Sequence, residues 1–243
     1  MSMLTEPAPS FAAVFTFDML VFVLAGAAML SIPVAARRIG ADPVFVAQWR
    51  RRLSVGLIAW LGITELLAAS GLLARFDLLP PPMMLLALSS FLLSTSFGLS
   101  RAGELLARGL PLSLLVGFQA FRIPLELLLY RLFLDGVVPP QMTYAGMNHD
   151  IVTGCTALLL GAWAAWKPLP RFVLAAWNTM GLVLLATIVS IAIASAPGPL
   201  RLFPNDPPNA IIATSPFVWL PTVLVQFAWL GHLLVWRRLR AER

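Results

Sequence analysis

Charge is scarce in this chain, and lysine and cysteine are nearly absent. Of 243 residues, 12% are charged and 59% hydrophobic, against about 25% and about 45–50% in soluble domains. A mean hydropathy of +0.86 points the same way. These values exclude an ordinary soluble domain and suit one compact transmembrane helical domain over residues 1–243. The one cysteine, Cys155, excludes an intramolecular disulfide and a cysteine zinc cluster. Two histidines are too few for a multi-histidine metal site, so no metal and no cofactor is expected. The metal alternative is a mixed site of His149, Asp150, Glu126 and Asp18. Neither H-E-x-x-H nor G-x-S-x-G occurs. Residues 1–36 hold no Lys or Arg, hence no positive n-region of a signal peptide, and the first apolar segment is expected to stay as a membrane helix.

What the chain has instead is apolar runs. A spanning helix needs about 20 predominantly apolar residues. Seven stretches qualify: 14–36, 53–74, 82–100, 111–134, 151–166, 172–195 and 215–236. The fifth is short and extends at most back to Asn148; a six-span alternative makes it re-entrant. Basic residues collect in alternate connections. Arg37, Arg38, Arg50, Arg51 and Arg52 lie between the first two runs, and Arg101 and Arg108 between the third and fourth. Lys167 and Arg171 lie between the fifth and sixth, and Arg237, Arg238, Arg240 and Arg243 beside Glu242 in the tail, making 13 of the 17 basic residues. The positive-inside bias predicts a seven-helix bundle with the N-terminus outside and the C-terminus cytoplasmic. A bacterial inner membrane is the expected location. The net charge of +6 is spread over these connections rather than pooled, which argues against nucleic acid as a partner.

The opposite face carries proline-rich connections at 80–82, 137–150 and 197–209. They are expected to be external, as a rigid surface or as a lid. Trp49, Trp166 and Trp236 near inner helix ends, and Tyr144 and Trp219 near outer ones, fit interfacial anchors. Segment 3 holds Ser89, Ser90, Ser94, Thr95 and Ser96. Small hydroxyl residues suit close helix packing, with a water-lined path as the alternative. Ala157, Gly161 and Ala165 form a small-residue packing stripe.

Gln119, Arg122 and Glu126 share one face of segment 4 by their three- and four-residue spacing. Arg122 lies near the midplane and Glu126 about 6 Å outward. A central arginine costs roughly 2.5–3.5 kcal/mol on insertion scales, so it requires a partner. Glu126 and Glu65 are the expected ones, as a binding site or as a structural brace. Pro124 cannot donate to the Ala120 carbonyl and is expected to kink the helix there, and Pro221 to bend the last one and free the carbonyl of Phe217. Asn148, His149 and Asp150 form an expected outer mouth, Asn148 or Asp150 alternatively capping the next helix. Gln226 lies near the middle of the last segment, Asn178 in the inner half of the sixth, and His232 near the inner interface.

Seven spans with an outer N-terminus resemble microbial rhodopsins and SWEET-type sugar carriers. The only lysine, Lys167, falls in a connection, which excludes a retinal Schiff base in the last helix. The carriers' Pro-Gln signature occurs once, at Pro140-Gln141, outside any helix run. The residues therefore lead to a small-solute or proton-coupled transporter or binding protein, its site built from Glu65, Gln119, Arg122 and Glu126. A buried glutamate there is suited to carry a proton, and the partners are the bilayer and a small molecule or lipid. The alternatives are an enzyme acting on a lipid or periplasmic substrate with His149 and Asp150 as acid and base, and a non-catalytic sensor or assembly subunit.

Overall fold

The computed structural model describes residues 7–241, so Glu242 and Arg243 of the basic tail lie outside the described residues. It is 76% helical, with no strand among the described residues. The helices are α1 (Phe11–Ile39), α2 (Pro43–Ala69), α3 (Pro82–Leu99), α4 (Arg101–Gly109), α5 (Leu112–Gly117), α6 (Arg122–Leu134), α7 (Ile151–Trp166), α8 (Arg171–Ser195) and α9 (Val225–Ala241). Five stretches are long and apolar enough to cross a membrane: α1, α2, α3, the run Leu112–Leu134 and α8. They expose large apolar side chains such as Leu66, Leu92 and Phe172, and a lipid bilayer is the environment they suit.

Local chemistry sets the helix ends. Gly40, at φ 62°, closes α1 with a left-handed residue. Asp42 then caps α2 by accepting from the Phe45 N–H at 2.9 Å, with Pro43 at the first helical position. Helix α2 thus begins ten residues before the expected 53, and Arg50, Arg51 and Arg52 stand on a helix rather than in a loop. The connection after α3 is also helical. Ser100 accepts from the N–H groups of Ala102 and Gly103 and starts α4.

Segment 4 is interrupted. A 3-10 turn over Phe118–Phe121 separates α5 from α6 just ahead of Pro124, as its missing N–H requires. The last segment holds a π-turn over Leu220–Leu224 around Pro221. The Phe217 carbonyl is not left free, because it accepts from the Leu220 N–H at 3.0 Å.

Helix α7 has 16 residues, about 24 Å of helix against a hydrocarbon core of about 30 Å. It packs antiparallel against α5 and α6 through glycine. A Cβ on Gly161 would stand 2.8 Å from the Gly117 Cα, and one on Gly154 would stand 3.2 Å from the Arg122 Cβ. That pairing starts α7 at the depth of Arg122, not at the end of α6. The space beyond is filled by the proline-rich segment 137–150, where Val138, Met142, Thr143 and Asn148 are buried. The segment is packed against the helices rather than standing free: its apolar side chains complete the core that α7 is too short to cover. Gln141 links it to the next proline-rich segment, donating to Ser195 Oγ at 2.9 Å and accepting from Asn205 Nδ2 at 2.8 Å.

At the other end the basic connections converge. Arg237 donates to the Ser100 carbonyl at 2.9 Å, Arg238 to the Arg108 carbonyl at 2.7 Å, and Arg171 to the Leu239 carbonyl at 2.8 Å. Trp219 is no interfacial anchor. It is buried, donating its indole N–H to the Leu61 carbonyl at 3.2 Å. The core is split in two. One part centres on Phe17, Phe121, Leu128, Phe217 and Val223 toward the proline-rich end. The other centres on Ile32, Leu106, Val116 and Val235 toward the arginine-rich end.

Candidate functional site

A polar layer lies between the two apolar cores, and Arg122 is its centre. The helix break delivers this side chain, because α6 begins at Arg122 itself and α7 begins at its depth. The guanidinium is fully buried. Its Nη1 is ion-paired with Asp150 Oδ1, whose side chain is also buried. Nε donates to Gln119 Oε1 at 3.2 Å, and Nη2 lies 3.1 Å from His232 Nε2.

That last contact fixes a tautomer. A guanidinium only donates, so His232 Nε2 must be the bare nitrogen and Nδ1 must carry the hydrogen. Nδ1 stands 2.8 Å from Asn178 Oδ1, an acceptor, and Asn178 Nδ2 donates to the His232 carbonyl at 3.1 Å. Histidine and asparagine close a two-bond ring between α8 and α9. Gly181 makes room for it, since a Cβ there would stand 2.7 Å from His232 Nε2. The Trp177 ring packs on the imidazole, its centroid 5.5 Å away.

On the other side, Asn148 holds the loop in place. Its Nδ2 donates to Glu126 Oε2 at 2.7 Å and to the Met142 carbonyl at 3.1 Å, while its Oδ1 accepts from the Asp150 N–H at 3.1 Å. Asp150 stands at the N-terminus of α7, where negative charge is favoured. Its side chain makes no capping bond to that helix and takes Arg122 and the Thr153 hydroxyl instead. Glu126 is buried and completes the layer.

The expected residues therefore divide. Gln119, Arg122, Glu126, Asn148 and Asp150 come together. Glu65 does not: it accepts from the Ser215 hydroxyl, and its other oxygen, like Asp18 Oδ1, is buried without a hydrogen-bond partner. Gln226 bonds Ser94 Oγ and the Pro221 carbonyl, each at 2.8 Å, away from the arginine. His149 is exposed while Asp150 points inward, so the two do not converge as acid and base. The partner of Arg122 is Asp150, not Glu65 or Glu126, because the segment before α7 dips to the arginine's depth. His232, expected at the interface, is buried at the layer's heart. Sequence reasoning underrated it and Asn178. The usable signal was depth, since Asn178 and Gly181 lie one turn apart on α8 at a level similar to His232.

Apart from this closed layer there is an open feature. A cavity of about 770 Å³ lies between α1, α2, α3, α5 and α9. It lies against α2, of whose 27 residues only Leu61, Thr64 and Ala68 are buried. Its walls are apolar apart from a few groups that include Ser90, Ser94 and Gln226. Gln119 separates it from Arg122. The amide donates to the Ala228 carbonyl at 3.0 Å across Gly231, which lines the cavity and has no side chain to block it. No family model, curated protein or solved structure matches this chain.

Removing one member of a buried ion pair leaves the other uncompensated, which destabilises by about 3–5 kcal/mol. Arg122→Leu is expected to lose stability on that scale in detergent-solubilised unfolding. The double variant Arg122→Leu/Asp150→Leu should lose clearly less than the two single variants added together. Strict additivity would mean that the pair is not coupled.

Proposed function

We propose that this chain is a seven-segment integral membrane protein that holds a lipid-like molecule in the cavity between α1, α2, α3, α5 and α9, with the Arg122 layer as its brace. The cavity carries the reading. About 770 Å³ of apolar-walled space with a few polar groups has the size and lining of ligand pockets, which run at about 300–1,000 Å³. The Arg122 layer supports the brace role, because the guanidinium is fully buried and bonded to Gln119 in the preceding turn, to Asp150 at the start of α7 and to His232 on α9. An apolar occupant needs no aqueous path, whereas a polar solute at Arg122 does.

Two shorter segments, α7 and α9, complete the seven on this reading, α7 with the buried 137–150 segment in front of it. The N-terminus is outside and the C-terminus cytoplasmic, in a bacterial inner membrane. The convergence of the α3–α4, α7–α8 and C-terminal arginines at one end supports that orientation.

One observation favours a second reading, proton-coupled transport. The layer holds one guanidinium against two buried carboxyls, and Glu126 takes its hydrogen bond from neutral Asn148 while Asp150 takes the arginine. That composition suits a site that exchanges one proton.

Three measurements test these readings. A reporter fused after Ala241 should be active only on the cytoplasmic side, and external activity would reverse the topology. Gly56 lines the cavity and a Cβ there meets nothing within 4 Å, so Gly56→Trp should fold normally yet fill the space. Energy transfer from Trp49 and Trp60, both in the wall, to a dansyl-labelled acyl chain should then fall several-fold. Unchanged transfer would remove the cavity reading. For the second reading, infrared difference spectra across neutral pH should show a protonated-carboxyl band that Glu126→Gln abolishes. A band identical in that variant would remove Glu126 as the proton carrier.

A further inference from the structure

We propose that the occupant of this cavity is an anionic phospholipid, its phosphate held by Arg52 at the arginine-rich end and its acyl chains lying along α2. The assignment rests on the cavity reading above and goes further in naming the ligand's charge and its direction.

The depth fits one leaflet. Trp49 and Trp60 both line the cavity, and the helix rises about 16 Å from one to the other, roughly half of the ~30 Å hydrocarbon core. The interior asks nothing polar of its occupant. The Ser94 hydroxyl donates to Gln226 Oε1, and Gln226 Nε2 donates to the Pro221 carbonyl, each at 2.8 Å. An acyl chain can lie against both without leaving a donor stranded.

The rim is different. The Arg52 guanidinium sits 5.4 Å over the Trp49 ring, and both residues belong to the wall. Stacking on an indole steadies an arginine while leaving its planar N–H fork free to meet a phosphate with two parallel bonds. Among the described residues no carboxylate competes: Arg37, Arg38, Arg50, Arg51 and Arg52 have no salt-bridge partner there, while Glu104 is taken by Arg108 and Arg237. Asp42 is used to cap α2. The positive charge beside the rim is therefore not neutralised by the described residues, and an anionic headgroup complements it. A zwitterionic lipid carries its own cation into this field, and a free anion has no use for the apolar walls.

The test uses the full chain, delipidated in a neutral detergent and titrated with phosphatidylglycerol or with phosphatidylcholine of the same acyl chains. Bound lipid is counted by native mass spectrometry. The wild type should retain the anionic lipid at least about tenfold more tightly. Arg52→Gln should bring the two lipids level while one lipid still binds. Arg51→Gln, exposed but outside the cavity wall, should preserve the preference. Gly56→Trp should lose both lipids. Equal binding of the two lipids by the wild type, or a loss of preference in Arg51→Gln as large as in Arg52→Gln, overturns the assignment of the headgroup to Arg52 and leaves the cavity reading standing. Lipid retained in full by Gly56→Trp overturns both.

Discussion

The rest of this fold depends on finding acceptors for one buried guanidinium. Arg122 stands where two apolar cores meet, and its three nitrogens are taken by Asp150, Gln119 and His232. Each acceptor is held in turn by another element. Asp150 fixes the start of α7, Gln119 ties to α9 through the Ala228 carbonyl, and His232 ties α9 to α8 through Asn178. A central arginine is costly in hydrocarbon, and removing any one of these partners would strand it. The cost is thereby converted into register: four segments can meet only where all three bonds close. A leucine at 122 would permit many packings of similar energy.

This constraint explains why α7 is short. If it ran the full thickness, its first residues would lie far from Arg122, and Asp150 could not serve both the arginine and the positive end of the helix. Starting at mid-depth leaves a gap toward the proline-rich end. The segment 137–150 closes it with Val138, Met142 and the twice-bonded Asn148 amide. Irregular backbone at such depth is tolerable only where protein surrounds it, and here α6, α8 and the segment ahead of α9 do so.

Much of the architecture was legible in the residues. Apolar runs located the long helices, Pro124 and Pro221 marked the two interruptions, and Gln119, Arg122 and Glu126 were recognisable as expensive groups sharing a face. What failed has one physical root. Depth was counted along each run as though every connection lay outside the hydrocarbon. Segment 137–150 breaks that rule and brings Asp150 in to meet Arg122; α2, which starts at Pro43 rather than 53, carries Glu65 outward to Ser215, away from the arginine's depth. His232 was misjudged similarly, because α9 continues to Ala241 and sets this histidine well inside the layer. The cavity left no trace in the runs at all, since it arises from how α2 packs beside α1, α3, α5 and α9, a tertiary property.

The layer and the cavity are also separated by design of the chain rather than by distance. Gln119 uses one end of its amide on Arg122 and the other on α9, and it can do so only because Gly231 has no side chain in the way. Gly231 lines the apolar space and Gln119 packs on it, its two amide atoms bonded to Arg122 and to the Ala228 carbonyl. Water drawn toward the arginine would have to break both bonds, whereas an acyl chain in the cavity disturbs neither. The same residue that accepts from Arg122 therefore also closes the polar layer on its α9 side, so the buried charge and the apolar space beside α2 are divided by one side chain and one glycine.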